Sequence, residues 1–336
     1  MSLSTYGFDS YWQSLFEKYS FDGLPGRVTS VFRGWCDVAT ESGTTRVRSG
    51  SADVCTGDWV VVGTDTVLHV LPRRTAVVRA SAGQTSASQI LASNVDTVVV
   101  TVAADTELDL GRVERFVALA WASGATPIVA LTKSDKASES RYADVSAASP
   151  GVHVAELSAY TGNGLAEFLT HLTGTIALIG PSGSGKSTLA NRMIGDDVLA
   201  TGHVRSGDAK GRHVTVRREL VPLPIPGTTV IDTPGLRSVG VLSSDDGLSA
   251  TFSDIEDLAA HCRFADCAHL SEPGCAVREN VDPRRVANYQ RLVRENDWAT
   301  TRHDVRANQA RLAEAKQISK AQRQLYKSRN RPRQSR

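Results

Sequence analysis

The chain has no run of eighteen or more apolar residues, so no segment has the length to cross a bilayer as a helix. Its first twenty residues lack the basic start and apolar stretch of a secretory leader. Cysteine is scarce, with five in 336 residues. Three of the five crowd between Cys262 and Cys275 with a histidine among them. That pattern excludes a disulfide framework and points to a metal site in a reducing compartment. A cytoplasmic protein without membrane contact is expected. Acidic residues are missing altogether from Lys316 to Arg336, where there are eight Lys and Arg.

What is present is ordinary in bulk: 41% apolar residues suffice for a core, and 336 residues suit two or three domains. The net charge of +2 hides an asymmetry. From Arg278 onward, 16 Lys and Arg face 6 Asp and Glu, a net of +10. Such a run is often only a solvated tail. On an otherwise acidic protein it also fits a polyanion partner such as RNA, bound in a salt-dependent way.

Phe8, Tyr11, Trp12, Leu15 and Phe16 have the spacing of an amphipathic helix within residues 1–25. With few basic flanking residues, it is expected to pack on a neighbouring domain. Residues 26–72 carry five short β-rich runs broken by Gly, Ser and Asp: Arg27 to Phe32, Trp35 to Thr40, Thr44 to Val47, Trp59 to Gly63 and Thr66 to Val70. They predict a small OB-fold β-barrel. Trp35 and Trp59 are expected in its core, and Cys36 and Cys55 as buried apolar residues. Residues 73–92 read as a linker. Over residues 93–243 strands and helices alternate, which predicts a doubly wound α/β sheet with ligands at the strand C-terminal ends. Asp109 caps a helix that Gly124 stops. Residues 244–310 turn helical and charged, and 311–336 form a basic arm. No internal repeat is present.

The chemistry begins at Gly180-Pro181-Ser182-Gly183-Ser184-Gly185-Lys186-Ser187, a phosphate-binding loop after the apolar run Ile176 to Ile179. Its glycines let backbone N–H groups wrap phosphates, and the helix that follows adds a favourable dipole. Lys186 would reach the β and γ phosphates, Ser187 would ligate Mg²⁺, and Thr188 could contact the α phosphate. Asp232-Thr233-Pro234-Gly235 has the pattern of a GTPase switch II. There Asp232 would hold Mg²⁺ through water and the Gly235 N–H would sense the γ phosphate. Thr215 is the switch I candidate between them. Leu236 follows Gly235 where a water-orienting Gln often stands, so hydrolysis should be slow without help. His213 is a candidate helper, with an exposed loop histidine as the alternative.

The base-reading candidate is Thr132-Lys133-Ser134-Asp135, and it lies upstream of the phosphate loop. Asp135 would accept from the guanine ring N–H and amino group, and Lys133 would lie along the base. Thr132 stands where Asn is usual. Ser158-Ala159 fits the loop that supports the base through backbone. The order of elements is thus circularly permuted relative to ordinary GTPases. Cys262, Cys267, His269 and Cys275 offer three thiolates and an imidazole, which close a tetrahedral structural Zn²⁺ shell. Two rival readings remain: a P-loop ATPase or nucleotide kinase, and an RNA-binding assembly factor with structural nucleotide.

Together these residues resemble the circularly permuted, ribosome small-subunit-dependent GTPase A family of bacteria. The likeness covers about residues 26–292. It includes Gly57-Asp58-Trp59-Val60, Asn94-Val95-Asp96, the permuted motifs, His213-x-Thr215 and the zinc spacing. The resemblance implies an OB-fold, a permuted GTPase domain and a helical zinc-binding domain. It also implies GTP hydrolysis stimulated by the small ribosomal subunit, late in that subunit's maturation. Partners would be the subunit and its 16S rRNA, and the protein a monomer. Only 26 residues separate Gly235 from Cys262, so a motion of the zinc domain is expected to reach switch II.

Overall fold

The computed structural model describes residues 2–19, 23–50, 52–79, 89–195, 218–233 and 244–303. Helix α1 (Ser10–Tyr19) precedes five strands: β1 (Leu24–Phe32), β2 (Trp35–Thr40), β3 (Gly43–Arg48), β4 (Trp59–Val62) and β5 (Val67–Val70). β1 pairs antiparallel with β2 and β4, β2 with β3, and β4 with β5. A parallel bridge from Arg48 to Thr66 closes the ring. The order 1-2-3-5-4-1 is that of an OB-fold. Val28, Cys36, Val38, Val47, Val60, Val62 and Val67 fill it. Cβ atoms of alternate residues face inward, so short Val-rich strands suffice. Trp35 departs from expectation: it begins β2 on the outside and is 41% exposed. Trp59 is buried, and Phe8 and Trp12 lie against its ring at 5.1 and 5.6 Å. The amphipathic N-terminal segment therefore packs on the barrel.

The stretch expected as a linker holds a strand pair, β6 (Ala76–Arg79) with β7 (Gln89–Ser93), antiparallel. Alternating elements follow: β8 (Thr97–Ala103), α2 (Leu110–Ala122), β9 (Thr126–Thr132), α3 (Tyr142–Ala148), β10 (His153–Glu156), α4 (Leu165–Thr170), β11 (Thr175–Ile179) and α5 (Lys186–Ile194). Next come β12 (Glu219–Pro222) and β13 (Thr229–Asp232). The sheet order is β10-β9-β8-β11-β13-β12, and all are parallel except β12. β11, which feeds the phosphate loop, is thus central in space although late in sequence. Its five residues are all buried, as an apolar run in a sheet covered on both faces should be. The Asp109 side chain accepts from Arg112 N and caps α2, where an acceptor satisfies an otherwise free N–H.

The C-terminal part contributes α6 (Asp245–Thr251), α7 (Ser253–Ala259), α8 (Ala276–Asn280) and α9 (Pro283–His303). α6 lies close on α2: a Cβ on Gly247 would come within 2.7 Å of the Ala118 carbonyl oxygen. α9 is tied to α2 by charge. Buried Glu114 accepts from Arg284 at 2.9 Å, from Arg285 at 3.0 Å and from Asn288. Arg285 also meets Asp254 at 2.7 and 2.9 Å. Among the described residues, no helix is long and apolar enough to cross a membrane.

Candidate functional site

The phosphate loop joins β11 to α5, at the C-terminal ends of the parallel strands. Two of its glycines are needed for space or conformation. Gly180 has φ 150°, and a Cβ there would come within 2.4 Å of Thr101 Oγ1 and 2.6 Å of Thr101 O. Gly185 has φ 83° and caps α5, a left-handed conformation that costs glycine little. Gly183 (φ 81°) faces open space, as a surface meant for close approach would. Ser184 is buried, with its hydroxyl 2.7 Å from Thr101 Oγ1. Thr188 is exposed on the first turn of α5.

Lys186 is buried and donates from Nζ to the carbonyls of Gly180 (3.0 Å) and Pro181 (2.7 Å). Burial pulls its pKa down to about 8, against an upward pull from Asp232. Ser187 Oγ donates to Asp232 Oδ2 at 2.6 Å. Burial raises the Asp232 pKa, while the Ser187 bond and Lys186 oppose the rise. Its other oxygen, Oδ1, is buried and has no hydrogen-bond partner among the described residues. A hydroxyl and a carboxylate with a free oxygen lone pair suit a hard divalent cation such as Mg²⁺.

The base-reading candidate reaches the same edge from β9. Thr132 Oγ1 donates to Ser184 O at 2.7 Å, so the residue that replaces Asn ties the two loops directly. Lys133 adopts φ 60° and its Nζ meets both Asp105 oxygens at 3.1 Å. Asp135 is exposed, and Ser158 donates to its Oδ1 at 2.6 Å. Ala159 follows, half-buried. A cavity of about 470 Å³ beside Asp135 is lined by Ser134, Glu156, Thr161 and Asn163. The structure thus gathers Thr132, Lys133, Asp135, Ser158 and Ala159 with Gly180 to Thr188 and Asp232. His213, Thr215 and Gly235 lie outside the described residues, as do Leu236 and the basic arm.

Cys262, Cys267, His269 and Cys275 come together between α7 and α8, all four ligand atoms within 4.8 Å of one another. The Cys262 Sγ–His269 Nδ1, His269 Nδ1–Cys275 Sγ and Cys262 Sγ–Cys275 Sγ separations are 3.7, 3.4 and 3.9 Å. Ligands ~2.0–2.3 Å from a tetrahedral Zn²⁺ stand about 3.3–3.8 Å apart, so the set fits that ion. Among the described residues this is the one such cluster. The loop is preformed by Glu272, which accepts from the N–H groups of Ala268, Leu270 and Ser271. Backbone donors hold its carboxyl down at about 2. His261 faces Asp257 O instead and stays out of the cluster.

Several residues here carry no motif signal. Thr101 and Asp105 lie on or just after β8, and only the sheet brings them to the loops. Gly57 and Asn94, quoted above for a resemblance alone, form a joint: Asn94 Nδ2 donates to Gly57 O at 3.0 Å. A Cβ on Gly57 would come within 2.2 Å of Ser93 O.

The family model described as RsgA GTPase matches residues 70–242. A protein of Streptomyces coelicolor named small ribosomal subunit biogenesis GTPase RsgA is 45% identical over 329 residues, covering 91% of this chain and 90% of that one. Its counterpart in Streptomyces avermitilis is 46% identical over 327 residues, covering 90% and 88%. Two solved structures share the fold. YjeQ from Thermotoga maritima has a TM-score of 0.58 at 23% identity, over 81% of this chain and 98% of that one. YloQ, described as a circularly permuted GTPase, has a TM-score of 0.57 at 22% identity, over 82% and 95%.

Proposed function

The chain belongs to the RsgA GTPase family, and from that premise we propose that it hydrolyses GTP in the biogenesis of the small ribosomal subunit. One observation carries the nucleotide half of this reading. The phosphate loop, Asp232 and the Asp135 loop converge on one sheet edge despite their permuted order, and Thr132 joins the first to the last.

In this reading Asp135, held by Ser158, selects guanine. The loop from Gly180 to Lys186 wraps the phosphates. Ser187, Asp232 and Thr215 hold Mg²⁺, which neutralises charge on the phosphates. Gly235 senses the γ phosphate, and His213 helps place the attacking water. Cys262, Cys267, His269 and Cys275 hold a structural Zn²⁺. Division into units at 1–25, 26–72, 73–92, 93–243, 244–310 and 311–336 belongs to the same proposal. The protein acts as a cytoplasmic monomer, binds the subunit and its 16S rRNA late in maturation, and leaves after hydrolysis.

The outer face of the barrel supports an rRNA contact. Arg48 lies 5.5 Å from the ring of exposed Trp35, and Arg46 lies 4.7 Å from that of Phe32. Cations interleaved with aromatic faces are what single-stranded RNA stacks on.

The test is hydrolysis of GTP and of ATP, with and without purified small subunits, repeated at high salt. GTP-selective turnover that rises with subunits and falls back with salt supports the reading. Equal use of ATP, or no rise, overturns it. Asp135→Asn should move preference from guanine toward xanthine nucleotides.

A further inference from the structure

The barrel meets the nucleotide domain at the Gly57–Asn94 joint and along β1, and β1 is held at two points. At the first point Arg27 of β1 enters the nucleotide domain. It is 2% exposed. Its NH1 donates to Tyr6 O at 3.1 Å, and its NH2 to Asn94 O at 3.2 Å and Thr175 Oγ1 at 2.9 Å. Thr229 donates to the same Thr175 oxygen at 3.3 Å. Arg27 therefore grips the start of β11 directly and the start of β13 through one hydroxyl. Its guanidinium also lies 4.7 Å from the Trp59 ring.

At the second point Ser30 of β1 pairs with Glu219 of β12, and Glu219 pairs with Asp232 of β13. Both pairings are antiparallel, so β1 and β13 run in the same direction. Arg27 to Ser30 is three residues, and so is Thr229 to Asp232. At ~3.3 Å per residue both spans are about 10 Å. β1 thus runs in the same direction as the strand that ends in Asp232, one strand away across β12, and is attached at Arg27 and at Ser30.

The chemistry of Arg27 favours a mechanical role. Its partners are two carbonyls, a hydroxyl and an aromatic face. A buried cation is costly, and an apolar side chain would fill this space at less cost. Arginine's planar fork, unlike lysine's single point, reaches several acceptors in fixed directions.

We propose that Arg27 is a positioning residue for GTP hydrolysis: through Thr175 it fixes the place of β1 relative to β11 and β13, so that a barrel displaced by a bound partner shifts Asp232 and changes turnover. This rests on the reading that small subunits stimulate this chain.

The experiment uses the whole chain, as wild type, Arg27→Met, Arg27→Lys and Thr175→Val. Circular dichroism checks folding, and cosedimentation checks subunit binding. Turnover is measured with and without subunits across a Mg²⁺ titration. Arg27→Met is expected to bind subunits as wild type does. Its stimulation should fall about 2- to 30-fold, the range for coupling through packed networks, and half-saturation in Mg²⁺ should rise. Arg27→Lys should recover part of the loss. Full stimulation of a folded Arg27→Met overturns the proposal, as does a loss matched by weaker subunit binding. If Arg27→Met does not fold, Thr175→Val, which removes the hydroxyl that Arg27 and Thr229 share, decides by the same criteria. Wild type without stimulation would instead refute the function proposed above.

Discussion

Replacing Glu114 with alanine is expected to loosen α9 from the nucleotide domain. The Glu114 side chain is fully buried and Arg285 is 4% exposed, whereas Arg284 is 40% exposed. Removing one partner of a buried ion pair costs ~3–5 kcal/mol. Arg284 can turn to water, so its share is small, about 0–1 kcal/mol. Arg285 keeps Asp254 on Nε and NH2, and the Ala148 carbonyl on NH1 at 3.0 Å. The cost should therefore lie at the low end, about 3 kcal/mol. Glu114→Gln preserves volume and acceptor but not charge, and should cost ~1–2 kcal/mol. Arg285→Met would leave Glu114 with Arg284 and Asn288, so the double variant with Glu114→Gln should cost less than the two singles added. Urea unfolding gives the differences, and hydrogen exchange along Val286 to Leu292 localises them. The reasoning is refuted if Glu114→Ala costs under ~1 kcal/mol, the scale of a surface pair, or is no worse than Glu114→Gln.

Three further outcomes follow from the site. Lys186, lowered to about 8 by burial, must be charged to hold phosphate. GDP affinity should be flat below pH 8 and fall by up to about tenfold per unit above it; a flat fluorescence titration to pH 9.5 would contradict this. The sign for the free fold is opposite. Its Lys186 pKa lies below the ~10.4 of an unfolded lysine, so stability rises as pH climbs from about 8 to 10.4. Gly180→Ala forces a methyl to 2.4 Å from Thr101 Oγ1 and should weaken GDP binding more than Gly183→Ala, where only backbone strain of ~1–2 kcal/mol applies; the ratio of the two dissociation constants checks it. Zinc removal by a chelator should release a single equivalent of metal and unravel α8 and the loop before it. Exchange protection there should vanish while GDP binding persists.

The parts of the site that could be read in advance were those with fixed local spacing. The phosphate loop, Asp232, the Asp135 loop and the four zinc ligands each need residue types at set intervals, because the ligand's geometry is fixed. β8 and the cap at Asp109 were legible for the same reason: buried strands and helix starts have local rules. Arg27 and Glu114 were not. Arg27 meets Thr175 across 148 residues, and Glu114 meets Arg285 across 171, and such pairings leave no periodic trace. Trp35 shows a different failure. Barrel strands alternate inward and outward, and a single tryptophan cannot reveal which parity it has. The strand pair β6–β7 escaped because its two short runs are set far apart by small polar residues.

The pairing of Ser30 with Glu219 has a consequence for synthesis. Nearly 190 residues separate the two, as they do Ser30 from Arg218 at 188. At ~5–20 residues per second, β1 is made about 10–40 s before the strand that covers its edge. The barrel can close on itself in that time, but half of one edge of β1 waits uncovered. Exposed edges are templates for other strands. A chain stopped short of β12 should thus self-associate through the barrel, and completing the nucleotide domain is what removes that hazard.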